Sequence, residues 1–168
     1  SNIFKATDTN LKKAVNILKT GGLVALPTET VYGLAGNAYS NKAVKKIYNL
    51  KGRPTKNPLI IHYYNKSQAE YDVIFNKNFI KLYKKFCPGP LTFILKKSKN
   101  SKITPFATSS LKTVAIRFPK NRIIRSVLKS IKFPLAMPSA NLSSGLSPVN
   151  ALDVFEEFKK KINIIIDG

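Results

Sequence analysis

The chain has 168 residues, 43% hydrophobic and 10% aromatic, enough to build one self-sufficient core, so a single domain over 1–168 is expected. Its 29 basic and 8 acidic residues give a net charge of +21, which suits a polyanionic partner (RNA, DNA, a nucleotide or an acidic membrane surface), although scattered lysines without a basic tail equally reflect a lysine-rich composition. One cysteine, Cys87, and one histidine, His62, exclude an internal disulfide and a zinc enzyme, and no apolar run nears the roughly 20 residues of a membrane span, so a reducing, cytoplasmic setting with no membrane association is expected.

Asp8 or Thr9 is placed to cap a helix over Leu11–Lys19, with Leu11, Ala14, Val15 and Leu18 on one face and Gly21-Gly22 at its end. Leu23–Leu26 reads as a buried strand that Pro27 stops. A polar turn follows, Pro27-Thr-Glu-Thr-Val-Tyr-Gly-Leu34; if it stays extended, Thr28, Thr30 and Tyr32 point to one side and suit a small polar ligand, and if it bends, they equally satisfy backbone groups of the turn. Ser40 caps a second helix over Ala43–Leu50, which leads into Lys51-Gly-Arg-Pro54. Leu59–Tyr63 is a strand, Phe79–Phe86 a helix that stops before Pro88-Gly-Pro90, and Thr92–Leu95 a strand. Ser98–Ser110 is a polar loop, Thr113–Arg117 a strand, Arg122–Lys129 a helix and Pro134–Met137 a strand leading into Pro138-Ser-Ala-Asn141. A helix over Ala151–Lys160 and a strand over Ile162–Ile166 complete the pattern. Strands alternating with helices predict an α/β fold: an open, twisted sheet, mixed in direction, with flanking helices and a basic concave ligand face.

Three of these turns carry chemistry, because ligands of α/β proteins gather where strands end. Lys51 and Arg53 either complement a helix C-terminus or clamp phosphates, Arg as a fork and Lys as a point charge. Ser139 and Asn141 either shape a turn or offer a hydroxyl and an amide to a nucleotide. His62 has no nucleophile-elbow motif to serve. Arg117, between Ile116 and Phe118 in an apolar strand, needs an anion. With eight acids in the chain, that anion is either a structural carboxylate or a ligand's carboxylate or phosphate.

Taken together and in order, Pro27–Leu34, Lys51–Leu59, Pro88–Phe93, Val114–Arg117 and Pro138–Ser143 resemble the YrdC-like family of threonylcarbamoyl-adenylate synthases in its short, single-domain form. The resemblance runs from about Leu11 to Gly168 and pairs Lys51/Arg53 with Ser139/Asn141. It implies a nucleotidyltransferase that makes threonylcarbamoyl-AMP and pyrophosphate from L-threonine, bicarbonate and ATP, with Mg2+ accompanying ATP and no side-chain metal site. The activated group would pass, through downstream tRNA-modifying proteins, to an adenosine of tRNA. Carried over residue by residue, Thr30, His62 and Arg117 are threonine contacts, and Arg117 meets the threonine carboxylate. Lys51, Arg53, Asn57, Thr113, Ser139, Asn141 and Ser147 are nucleotide contacts, with Lys51 and Arg53 also catalytic. The chain stops at Gly168, where the family continues through a further strand and a segment that helps cover the pocket.

Two other readings compete. A double-stranded RNA-binding protein of the same fold explains +21 but gives Thr30, His62 and Arg117 no role. A carbamoyl-transfer domain of hydrogenase-maturation type belongs to longer chains with zinc-finger-like modules, which a single cysteine disfavours.

Overall fold

The computed structural model describes residues 2–141, 145–158 and 161–168. In chain order these form β1 (Ile3–Lys5), α1 (Asp8–Lys19), β2 (Val24–Leu26), β3 (Gly33–Asn37), α2 (Asn41–Lys51), β4 (Ile60–His62), α3 (Lys66–Ala69), α4 (Lys77–Phe86), β5 (Thr92–Lys96), β6 (Thr113–Arg117), α5 (Arg122–Lys129), β7 (Leu135–Ala136), α6 (Ala151–Phe158) and β8 (Ile164–Asp167). The strands make one sheet in the order β1-β8-β2-β3-β7-β4-β6-β5. It is mixed: β1/β8, β2/β8 and β4/β6 are parallel, while β2/β3, β3/β7, β4/β7 and β5/β6 are antiparallel.

Period-two alternation divides the apolar residues between two cores, one on each face. Val24, Leu26, Leu135, Ile164 and Ile166 pack with Ala14, Val15 and Leu18 of α1 and with Ile124, Val127 and Leu128 of α5. Ala25, Ala136 and Ile165 face the other way, onto α2, α4 and α6. The second core extends under β4, β6 and β5, where Ile61, Val114, Ile116, Phe93 and Leu95 are buried against Phe79 and Phe118.

The face opposite that extension is open. Thr113, Ile94 and Lys96 are exposed, and Thr92, Ala115 and Arg117 are half-buried. The α1/α5 layer stops short of β6 and β5, which leaves a polar floor on an otherwise two-sided sheet.

Helix boundaries follow local chemistry. Thr7, rather than Asp8 or Thr9, caps α1 by accepting from the Asn10 amide, and Ser40 caps α2 through the Ala43 amide. Gly52 ends α2 in the left-handed region at φ 63°, and the Arg53 N–H then bonds the Tyr48 carbonyl at 3.0 Å. That reversal turns Lys51 inward and releases Arg53 into the following loop. Three elements go beyond the sequence reading: β1, the one-turn α3, and β3, whose Gly-Leu-Ala-Gly-Asn lacks strand propensity and pairs because β2 and β7 flank it. The stretch 98–110 carries neither helix nor strand, as expected. Of the helix expected over Ala151–Lys160, Lys159 and Lys160 lie outside the described residues, as do Leu142 and Ser143 of the last motif.

One buried acid ties the 98–110 loop to the sheet. Asp72, fully buried, accepts from the Tyr39 and Tyr63 hydroxyls at 2.7 Å each, from the Lys102 amide at 2.9 Å and from the Ser101 hydroxyl at 3.3 Å. Asp72→Ala would strand these donors out of water. It is expected to lower the unfolding free energy in urea by about 3 kcal/mol.

Candidate functional site

The centre of the site is the Lys51 ammonium. The side chain is 2% exposed, and its Nζ donates to the Ser139 carbonyl at 2.7 Å, the Asn141 carbonyl at 2.7 Å and Asn141 Oδ1 at 3.3 Å. All three donors of the ammonium are therefore used by the turn that follows β7. The turn is bonded internally too: Ser139 Oγ donates to Asn141 Oδ1 at 2.6 Å, and Asn141 Nδ2 donates to the Gly145 carbonyl at 2.7 Å. Burial pulls the Lys51 pKa down to about 8; the nearby Arg53 charge adds to that shift and Glu157 opposes it. The Lys51 charge is held by carbonyl dipoles, beside a second cation.

β3 backs the same turn. Gly33 bridges Ser139, the Leu34 amide bonds the Pro138 carbonyl, and the Ala140 amide bonds the Tyr32 carbonyl. A Cβ on Gly33 would stand 2.4 Å from Met137 Cγ, so the close approach of the two segments requires glycine.

Arg53 is half-buried. Its Nε donates to the Asn57 carbonyl at 3.1 Å and its Nη2 to the Pro58 carbonyl at 2.8 Å, an arrangement that curls the 53–58 loop and leaves Nη1 without a protein acceptor among the described residues. The Asn57 side chain is exposed beside it. The register Ile60↔Ala115 puts Thr113 at the same end of the sheet as Pro58. Ser147 is exposed and lines, with Asn141, Pro148, Asp153 and Glu156, a cleft of about 510 Å³.

The second half of the site lies four residues, about 13 Å, along β6. Parallel pairing sets His62 beside Arg117, and antiparallel pairing sets Thr92 on its other side. Arg117 Nε and Nη2 both donate to Thr92 Oγ1, at 3.0 and 2.7 Å. Its partner is thus a neutral hydroxyl, and no carboxylate hydrogen-bonds it among the described residues. Burial lowers the guanidinium's pKa and the Glu29 charge, acting at a distance, opposes that shift. His62 is 2% exposed with Nδ1 at 3.1 Å from the Ile60 carbonyl, and burial, aided by Arg117, pushes its pKa down to about 3. It is a neutral ring at neutral pH.

The Pro27–Leu34 turn is not extended, so Thr28, Thr30 and Tyr32 do not line one face. Thr28 Oγ1 accepts from the Thr30 and Val31 amides at 3.2 Å and closes a tight bend. Thr30 is exposed, its Oγ1 3.2 Å from that of Thr28. Tyr32 is buried, and its hydroxyl accepts from the Gly168 amide at 3.0 Å. Two contributors had no role in the sequence reading, Thr92 and Glu29. The scarcity of acids was the available cue for Glu29.

With this geometry in view, the similarities are specific. The family model described as "Sua5_yciO_yrdC: Telomere recombination" matches residues 16–168, and the chain belongs to that family. Proteins named threonylcarbamoyl-AMP synthase from Pyrococcus abyssi and Bacillus subtilis are 44% and 42% identical over 94% and 98% of this chain. This chain covers 46% and 48% of those two proteins, so it spans about half the length of the curated relatives it matches. The structure of P. abyssi Sua5 complexed with L-threonine superposes with a TM-score of 0.93 at 41% identity, over 99% of this chain and 48% of its own. Escherichia coli YciO shares the fold, with a TM-score of 0.86 at 22% identity over 99% of this chain and 83% of its own.

The His62 environment gives a signed pH test. An unfolded histidine takes a proton below about pH 6.5, whereas the folded ring resists until about 3. The stability due to this difference is complete above 6.5 and is lost progressively between 6.5 and 3. Between pH 7 and 4.5, urea unfolding is expected to show the unsubstituted protein losing about 2 kcal/mol more than His62→Gln does.

Proposed function

We propose that this member of the Sua5–YciO–YrdC family is a threonylcarbamoyl-AMP synthase. L-threonine, bicarbonate and ATP give threonylcarbamoyl-AMP, pyrophosphate and water. The product then serves threonylcarbamoyl modification of a tRNA adenosine through downstream tRNA-modifying proteins in the cytoplasm. One observation carries the reading: the Lys51 ammonium clasps Ser139 and Asn141, which sets the two polar motifs against one another at one end of a floor whose other end holds Arg117. The names of the relatives and the threonine complex of P. abyssi Sua5 support it.

In this reading the amino acid lies at the Arg117 end. The guanidinium keeps Nη1 for the α-carboxylate while Thr92 fixes its other edge. Neutral His62 forms a wall that adds no competing charge, and Thr30 reaches in from the rim. The nucleotide lies toward Thr113, Asn57, Ser139, Asn141 and Ser147. Arg53 faces the phosphates with its open Nη1. Lys51 acts as a positioning residue that holds the Ser139–Asn141 turn and adds positive charge behind Arg53.

The chemistry needs no protein nucleophile. A carbamate oxygen forms a bond to the α-phosphorus while the bond from that phosphorus to the β-phosphate oxygen breaks. Two anions must meet, so fixed cations and alignment supply the rate. Mg2+ belongs to ATP in this scheme. Among the described residues no group of three His, Cys, Asp or Glu side chains is arranged to hold a metal.

Pyrophosphate release from Mg-ATP is expected to require both threonine and bicarbonate. Release that ignores threonine would sink the reading. Arg117→Ala is expected to raise KM for threonine at least tenfold, and for ATP less than threefold, while Arg53→Ala does the reverse. Equal effects of Arg117→Ala on both substrates would remove its assignment to the carboxylate.

A further inference from the structure

The turn after β2 carries an acid, Glu29, in a chain with eight. Its Oε2 accepts from the backbone N–H of Lys120 at 2.6 Å, across 91 residues, and so ties the Thr28–Val31 bend to the segment just past Arg117. The side chain is exposed, next in sequence to Thr30. Its negative charge acts on Arg117, yet the two groups do not hydrogen-bond; the guanidinium is turned to Thr92 instead. The Lys120 contact thus sets the acid near the end of β6 that carries Arg117, where the two opposite charges are not paired with each other. That arrangement suits a small zwitterion, with its carboxylate toward Arg117 and its ammonium toward the acid.

The reaction also has an unfilled role. An α-ammonium is no nucleophile, and its nitrogen must lose a proton before it can attack carbon. His62 is placed poorly for that task, since it is enclosed, bonded to the Ile60 carbonyl and held neutral by burial and by Arg117. Other acids act elsewhere: Glu157 on Lys51 and Asp167 on Tyr32.

We propose that Glu29 binds the substrate's α-ammonium and accepts its proton, which makes the nitrogen a nucleophile toward bicarbonate. This rests on the synthase reading. The nitrogen–carbon bond forms, the carbon–hydroxyl bond of bicarbonate breaks, and the departing hydroxide leaves as water with a second proton from nitrogen. The carbamate carries the negative charge, and Glu29 returns its proton to solvent. Glu29 is then a catalytic residue and a determinant of specificity for amino acids over hydroxy acids.

The test compares binding of L-threonine and of 2,3-dihydroxybutanoate, which has a hydroxyl in place of the amine, by calorimetry on the 168-residue chain and on Glu29→Gln. The glutamine carbonyl can still accept from Lys120, so the bend is kept, and an ATP affinity within twofold of the unsubstituted chain reports an intact site. The unsubstituted chain is expected to prefer threonine by about tenfold or more, and Glu29→Gln to erase that preference by weakening threonine alone. Threonine-dependent pyrophosphate release is expected to fall about a hundredfold in the variant. A preserved preference in Glu29→Gln overturns the proposal and leaves the synthase reading standing. Failure of the unsubstituted chain to bind threonine overturns both. If Glu29→Gln does not fold, Glu29→Asp, which draws the charge back by one methylene, must cut the preference at least threefold, and an unchanged ratio overturns the proposal.

Discussion

A buried ammonium with three protein acceptors is the constraint on which the rest of this molecule depends. A lysine held 2% exposed is costly unless each N–H has a partner, and Lys51 finds all of its acceptors in one turn, 88 to 90 residues away. To deliver that turn, β7 must insert between β3 and β4, antiparallel to both. To deliver Lys51, α2 must end at Gly52 with the chain reversing. The central order of the sheet and the C-cap of one helix therefore serve a single set of hydrogen bonds.

Around that clasp, the protein manages an excess of positive charge by giving the cations of the site neutral partners. Arg53 bonds carbonyls, Arg117 bonds a hydroxyl, and Lys51 bonds carbonyls and an amide oxygen. Dipoles satisfy donor geometry without cancelling charge, so the field over the open floor of β4, β6 and β5 stays positive and available to an anion. The carboxylate of Glu29 introduces polarity into that field near Arg117, apart from Asp153 and Glu156 in the cleft beside Ser147. The buried acid, Asp72, is placed well inside, where it anchors the 98–110 loop through two phenols and a backbone amide.

Much of the fold was legible before any coordinates. Helical periodicity marked α1 and α2, with Ser40 as the cap of α2, and apolar runs marked β2, β4, β5, β6 and β8, because these elements bury a face that their own residues define. β3 was not legible. Two glycines and an alanine among its five residues give no strand signal, and its conformation comes from neighbours on both sides. The first polar turn has two readings on sequence grounds and the structure decides between them: alternation of Thr28, Thr30 and Tyr32 has meaning only in extended backbone, and the Thr28 hydroxyl instead bends the chain by capturing two amides.

The sequence by itself determined the class of fold, the chemistry of the turns and the membership of one family, since residue type, order and spacing are local properties that survive without coordinates. Tertiary structure alone decided how those residues divide the work. Lys51 and Arg53 are two positions apart in the chain, yet the cap at Gly52 sends one into a buried clasp and leaves the other with an open edge. Arg117 asked for an anion on sequence grounds and received a hydroxyl, because register, not composition, selects which side chain of β5 stands beside it. Glu29 is held near the end of β6 that carries Arg117, 88 residues apart in sequence, by accepting from the backbone N–H of Lys120. Partners of this kind depend on strand order and on the path of the loops, which no local pattern encodes.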